Sequence, residues 1–222
     1  MRLFLSGGGS EPFNLDEKFI DSLDKTKPLM YIPIAMDPLR HPYSECLAWI
    51  KKYFSKEGFD NIIMITDLAK VSERDLEKFG GVYIGGGNTP FLLHEIKRTD
   101  FHKKLNSLIR RNVPIAGGSA GAIIFARTII PSLSMDENKI GLKDFNAMNK
   151  LKKYDLWVHY DDSFDEKIKE HMKKYKLKKV IALPERCGIY VEDDKITVTG
   201  EKSAFNFDSG GKREIKNGEL VK

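Results

Sequence analysis

Short apolar runs alternate along this chain with stretches whose apolar positions recur every three or four residues. The first kind reads as buried strand and the second as amphipathic helix. Leu3-Phe4-Leu5 sits inside a first strand over residues 2–6, and Leu15, Phe19, Ile20 and Leu23 put a helix over 14–23. A second strand covers 29–34. Leu47, Ile50 and Phe54 then line one face of a helix that Pro42 opens and Gly58 stops. Ile62-Ile63-Met64-Ile65 marks a third strand within 61–66, and Ser72 with Asp75 resembles a capping box that opens a short helix. Gly81-Val82-Tyr83-Ile84 is a fourth strand. Thr89 and Pro90 open the next helix, with Phe91, Leu92 and Ile96 inward, and residues 101–110 form another on Leu105, Leu108 and Ile109. Val113-Pro114-Ile115-Ala116 leads as a strand into Gly117-Gly118-Ser119-Ala120-Gly121, and Ala122-Ile123-Ile124 continues as helix. Residues 127–153 read mostly as loop. Strands return at 155–160 and 180–183 around a helix carrying Phe164, Ile168 and Met172, and short β runs fill the tail from Ile189.

Strands alternating with helices predict an α/β fold with a doubly wound, mainly parallel sheet and helices on both faces. The tail is expected to extend that sheet with antiparallel strands, giving a single domain over 1–222. In such sheets binding sites form beyond the carboxyl ends of the strands. Three glycine-rich loops, at 7–9, 85–88 and 117–121, fall on that edge.

Composition narrows the function. The net charge of +5 comes largely from lysines between Lys150 and Lys179, which fall among helix-forming residues with no interleaved aromatic platform and no recognised nucleic-acid-binding motif. A solvated helix face accounts for them, so no nucleic-acid partner is expected. No run reaches the ~18 apolar residues of a membrane span, and the N-terminal apolar run is too short for a signal peptide. A cytoplasmic protein without a membrane partner is the expectation. Cys46 and Cys187 have no metal-ligand spacing, so neither a metal nor another cofactor is expected. The loop Gly7-Gly8-Gly9-Ser10 follows a strand but lacks the GxGxxG spacing of a dinucleotide site, which leaves a turn bordering the active cleft as the better reading.

The chemistry gathers around Ser119. A serine on a sharp strand-to-helix turn flanked by glycines is how acyl-transfer enzymes present a nucleophile, and the helix behind it offers N–H groups to a developing oxyanion. The hydroxyl needs a base. His41 precedes Pro42, His94 and His102 lie on helix faces, and His171 sits in a lysine-rich helix, whereas His159 ends a strand downstream of the serine. A carboxylate must then orient the imidazole. Glu185 follows the next strand at the same sheet edge, Asp136 lies in the loop after the serine helix, and Asp161 and Asp162 read as helix caps. The peptide N–H of Ala120 is one expected oxyanion donor, and the Gly86–Gly87 loop is expected to supply the second. A side chain at Gly87 is expected to block the carbonyl. Asn88 and Gly118 are the expected substrate contacts.

These residues carry a resemblance. Gly118-Ser119-Ala120-Gly121-Ala122, Tyr83-Ile84-Gly85-Gly86-Gly87-Asn88-Thr89 and Phe145-Asn146-Ala147-Met148-Asn149, followed by the strand with His159, resemble the peptidase E family. These are the S51 serine peptidases, which include aspartyl dipeptidase, with cyanophycinase as a relative. The resemblance runs in order over nearly the whole chain. It implies an α/β fold akin to class I glutamine amidotransferases, with serine in place of cysteine at the elbow. It also implies Ser119 as nucleophile and His159 as base in a cofactor-free enzyme acting on a small peptide or amide, as a monomer or homodimer. Leu183-Pro184-Glu185 resembles the family's Leu-Pro-Glu after the strand, and Asp136 falls near an aspartate also assigned to the family's triad. One departure matters. Aspartyl dipeptidases carry an Arg-containing insertion after the histidine, where this chain runs from Tyr160 through Asp161-Asp162-Ser163 straight into a helix. The aspartyl preference is therefore not carried over. The rival expectation is a non-catalytic ligand-binding or regulatory protein on the same scaffold.

Overall fold

The computed structural model describes residues 1–221; Lys222, the last position of the expected 1–222 domain, lies outside the described residues. In chain order the elements are β1 (Arg2–Ser6), α1 (Asn14–Asp21), β2 (Leu29–Ile32), α2 (Tyr43–Ser55), β3 (Ile62–Met64), β4 (Gly81–Ile84), α3 (Thr89–Arg98), α4 (Phe101–Arg110), β5 (Ile115–Gly118) and α5 (Ala120–Ile123). There follow β6 (Asp155–Trp157), α6 (Asp165–Tyr175), β7 (Val180–Ala182), β8 (Cys187–Glu192), β9 (Lys195–Gly200), β10 (Ala204–Asp208) and β11 (Gly211–Ile215).

The fold is α/β around a central, mostly parallel sheet. Seven strands run in the order β3-β2-β4-β5-β1-β8-β9, so β5, which leads to Ser119, is the middle strand. The first five elements of that order are parallel, and β8 and β9 extend the sheet antiparallel. Alternation along β1 sorts its side chains between two layers. Phe4 joins Tyr31, Tyr83 and Ala116 against Phe19 of α1 and Ile50 and Phe54 of α2. Leu3 and Leu5 join Val82, Ile84 and Ile115 against Leu92, Ile96, Leu105 and Leu108 of α3 and α4. Each such side chain, fully withdrawn from water, contributes about 1.5–3 kcal/mol. Among the described residues no helix is long and apolar enough to cross a membrane.

One expectation is corrected. The tail does not extend one sheet throughout: β10 and β11 join β7 and β6 in a second, four-stranded sheet, in the order β11-β10-β7-β6. β1 already has β5 on one side and β8 on the other, so the histidine strand and its neighbour build their own ladder. Leu156, Val158 and Ile181 of that ladder reach the core shared with α5. Trp157, Val180 and Ala182 face the opposite way, against Ile168 of α6. The helix expected after the serine is present as a single turn of four residues. It contributes individual N–H groups at the elbow rather than the summed dipole of a long helix.

Candidate active site

Ser119 stands between β5 and α5 with φ 51° and ψ −114°, a left-handed conformation that a side chain adopts only under constraint. The constraint is packing. A Cβ on Gly117 would lie 2.2 Å from the carbonyl oxygen of Gly121, and one on Gly121 would lie 2.1 Å from that of Ile84. Strand and helical turn therefore meet backbone to backbone, and the chain reverses in the space of the serine. Its N–H donates to the Ser6 carbonyl at 3.1 Å, which ties the elbow to β1.

His159 and Glu185 come from the small sheet. β6 and β7 pair parallel, with Leu156 opposite Ile181, so both chains leave the ladder at one end. The ladder continues through Leu183 N–H to the Trp157 carbonyl (2.7 Å) and Tyr160 N–H to the Leu183 carbonyl (3.1 Å). His159 is turned out of it by φ 50°, and its N–H donates instead to the Gly7 carbonyl at 3.0 Å. Its Nε2 lies 2.8 Å from Ser119 Oγ, and its Nδ1 lies 3.0 Å from Glu185 Oε1. The histidine and glutamate side chains are 41% and 56% exposed, so their attraction is screened by water and serves to orient the ring more than to stabilise the fold.

The loop after β1 holds these parts together. Besides the Ser6 and Gly7 carbonyls, the Gly8 carbonyl accepts from Arg186 N–H at 3.0 Å, fixing the residue after Glu185. Gly8 has φ +112°, and a Cβ there would lie 2.3 Å from His159 Cε1. The imidazole thus rests on a bare glycine. A second tether starts at buried Asp155, the first residue of β6. Its Oδ1 accepts from Thr128 N–H (2.8 Å) and Oγ1 (2.7 Å), and its Oδ2 accepts from Arg127 Nη2 (2.7 Å). The chain leaving the serine turn is thereby bonded to the strand that carries the histidine.

The other carboxylates have different partners. Asp136 Oδ2 accepts from Thr89 N–H (3.0 Å) and Thr89 Oγ1 (2.6 Å), at the start of α3. Asp161 caps Ser163, while Asp162 and Asp165 surround the Tyr160 hydroxyl and Lys212. Asn88 is likewise occupied: its Oδ1 accepts from Phe91 N–H, and its Nδ2 donates to the Glu137 carbonyl. Asn88 and Asp136 together line a neighbouring cavity.

The glycine loop at 85–87 borders the serine. A Cβ on Gly86 would come within 3.2 Å of Ser119 Cβ, so this is the position where a side chain crowds the serine. Gly87 needs to be glycine for another reason: φ is +133°, and a Cβ would strike the Ala35 backbone at 2.2 Å. Among the described residues no acceptor takes the N–H of Gly86, Gly87 or Ala120. Gly118 lines the cavity that holds Ser119 and His159, with Tyr83 Oη 2.9 Å from where its Cβ would be. The cavity holds about 450 Å³ and also reaches His41, which sequence reasoning set aside because Pro42 follows it. Among the described residues no group of three His, Cys, Asp or Glu side chains is placed to hold a metal ion.

Residues 3–199 match the profile described as Peptidase family S51. Peptidase E of Shewanella amazonensis is 28% identical over 133 residues, which are 57% of this chain and 57% of that protein. The chain thus spans little more than half the length of that curated relative. Peptidase E of a Nostoc species is 23% identical over 197 residues, covering 85% of this chain and 78% of the other. A Listeria monocytogenes protein solved as a candidate peptidase E superposes with a TM-score of 0.73 at 24% identity, covering 90% of this chain and 98% of its own, and shares the fold. The serine turn, the histidine strand and Glu185 all fall inside the matched residues, and the chain belongs to peptidase family S51.

Proposed function

We propose that the protein is a serine hydrolase that cleaves a small peptide or amide through an acyl-enzyme, on a scaffold akin to that of class I glutamine amidotransferases. The observation that carries this reading is the relay from Ser119 Oγ to His159 Nε2 at 2.8 Å and from His159 Nδ1 to Glu185 Oε1 at 3.0 Å. Ser119 Oγ attacks the carbonyl carbon while His159 Nε2 takes its proton. The resulting imidazolium donates through Nδ1–H to Glu185, which holds the tautomer that leaves Nε2 free to accept. The oxyanion is received by the N–H of Ala120 and by N–H groups of the Gly86–Gly87 loop, donors without protein acceptors among the described residues. His159 passes the proton to the leaving nitrogen as the C–N bond breaks. A water molecule, deprotonated by His159, then cleaves the ester, and the proton returns to Ser119 Oγ. Asp136 and Asn88 hold the entrance to α3 and take no part in the proton transfers.

The test is a dipeptide-panel assay of the purified wild type beside Ser119→Ala. Amino-acid release by the wild type, lowered by at least ~10⁴-fold in the variant, is the expected result. A folded wild type that hydrolyses nothing in the panel, or a variant that retains turnover, contradicts the proposal.

A further inference from the structure

The cavity beside Ser119 has walls of a particular chemistry. At about 450 Å³ it falls within the roughly 300–1,000 Å³ of small-ligand sites. Tyr31 from β2 and Tyr83 from β4 form its floor, with ring centroids 6.1 Å apart. Glu45, Cys46, Trp49 and Tyr53 recur along α2 at helical spacing, so one flank of that helix faces the same space. The Trp49 and Tyr53 rings lie 4.8 Å apart. Among the described residues the lining contains no lysine and no arginine, and Glu45 is its one carboxylate.

The tyrosines keep their protons. Burial holds the Tyr31 and Tyr83 hydroxyls well above the ordinary phenol range, so both remain neutral O–H groups. Neither is bonded to another protein group among the described residues. Tyr53 is committed elsewhere, donating to buried Asp16 at 2.8 Å. The cavity therefore offers aromatic faces, two neutral donors next to the glycine loops, and a single negative charge.

We propose that this cavity selects an uncharged aromatic or apolar residue beside the scissile bond and rejects an acidic one. A phenyl or leucyl side chain gains aromatic contact and leaves no polar group unpaired. A carboxylate entering the same space gives up water without meeting a lysine or an arginine, since His41 and His159 are the only basic side chains of the lining among the described residues, and it approaches Glu45. The inference rests on the hydrolase reading only in naming the scissile bond; the preference of the cavity is measurable without turnover.

The experiment is calorimetric titration of Ser119→Ala with Phe-Ala, Ala-Phe, Asp-Ala and Ala-Asp. The better Phe peptide is expected to bind at least ~10-fold tighter than the better Asp peptide, a gap of ~1.4 kcal/mol. Glu45→Lys in the same background, a change on the exposed side of α2, is expected to raise affinity for the Asp peptides and narrow that gap. An Asp peptide that binds as tightly as the Phe peptides overturns the inference, and so does the absence of binding by all four. Wild-type turnover of the same peptides, read in parallel, separates the two proposals. Hydrolysis with Asp preferred removes the cavity inference and leaves the hydrolase standing. Selective Phe binding without turnover does the reverse.

Discussion

The large sheet and the small sheet contribute to the site in different ways. Ser119 leaves the middle strand of seven and takes its geometry from the flanking Gly117 and Gly121, packed on the Ile84 backbone, and from the bond of its N–H to the Ser6 carbonyl. His159 and Glu185 follow three-residue strands, β6 at the edge of the four-stranded sheet and β7 beside it, and their geometry depends on residues more than 150 positions away, the carbonyls of Gly7 and Gly8. The serine turn is a product of backbone strain and close packing around its two flanking glycines. The His159–Glu185 pair is a non-local product of register between two sheets. A turn of the first kind survives wherever its glycines do, whereas the second kind fails when the connection between the sheets shifts by an ångström.

The largest predicted effect breaks the chemistry on the small-sheet side alone. His159→Asn suits the left-handed backbone and removes the base, so kcat should fall by at least ~10⁴-fold with little change in melting temperature. Activity lost only in proportion to the folded fraction would instead make His159 a packing residue.

Gly8→Ala tests the connection itself. Its methyl group would overlap the imidazole, with 2.3 Å to Cε1, at a φ of +112° that alanine resists. The ring must move off Ser119, and kcat should drop by about 10²–10³-fold although no triad member is altered. Full activity in a folded Gly8→Ala would show that the ring has room elsewhere.

Next in size is the contrast between the two carboxylates weighed for the third place. Glu185→Gln should lower kcat on the order of 10²-fold, less than the ~10⁴-fold of a buried triad aspartate, because Glu185 is 56% exposed. Asp136→Asn weakens the bonds to Thr89 and should cost about 1 kcal/mol of stability at nearly unchanged kcat. The opposite ranking in kcat reverses the assignment.

The smallest effect lies under the cavity wall. Burial raises the Asp16 carboxyl to about 6, against the bonds from Tyr53 and Phe13 that favour its charged form; an unperturbed aspartate titrates near 3.8. The native state therefore holds the extra proton between about pH 4 and 6. This contribution to stability is full below pH 4 and lost as pH rises through 6. The melting temperature of the wild type relative to Asp16→Asn should fall across that window and level off above it. A constant difference from pH 4 to 7 would show that Asp16 does not titrate there.

Much of this was legible in the residues because it is local. The strand ending at Ser6, the helix over Phe101–Arg110 and the glycine-flanked serine follow from periodicity and from positions that exclude a side chain. His159 stood out because it follows a strand. The two-sheet arrangement did not, since an apolar three-residue run carries no mark of the ladder it joins. The Gly7 and Gly8 carbonyls were invisible as well: backbone acceptors leave no trace in residue type, although three consecutive glycines hinted at close approach. The cavity aromatics were hidden by ambiguity, because Tyr31, Tyr53 and Tyr83 at apolar positions read equally as core. Asp136 was placed near the triad by a loose loop match, and only the path of residues 127–153 delivers it to Thr89.

The central claim is that the two sheets deliver one working nucleophile. Reaction with a fluorophosphonate probe, followed by intact mass and peptide mapping, tests it most directly. The account predicts one adduct, on Ser119, that is absent in Ser119→Ala and forms at least ~10³-fold more slowly in folded His159→Asn. No adduct on the folded wild type, an adduct on another residue, or equal rates with and without the His159 imidazole would contradict it.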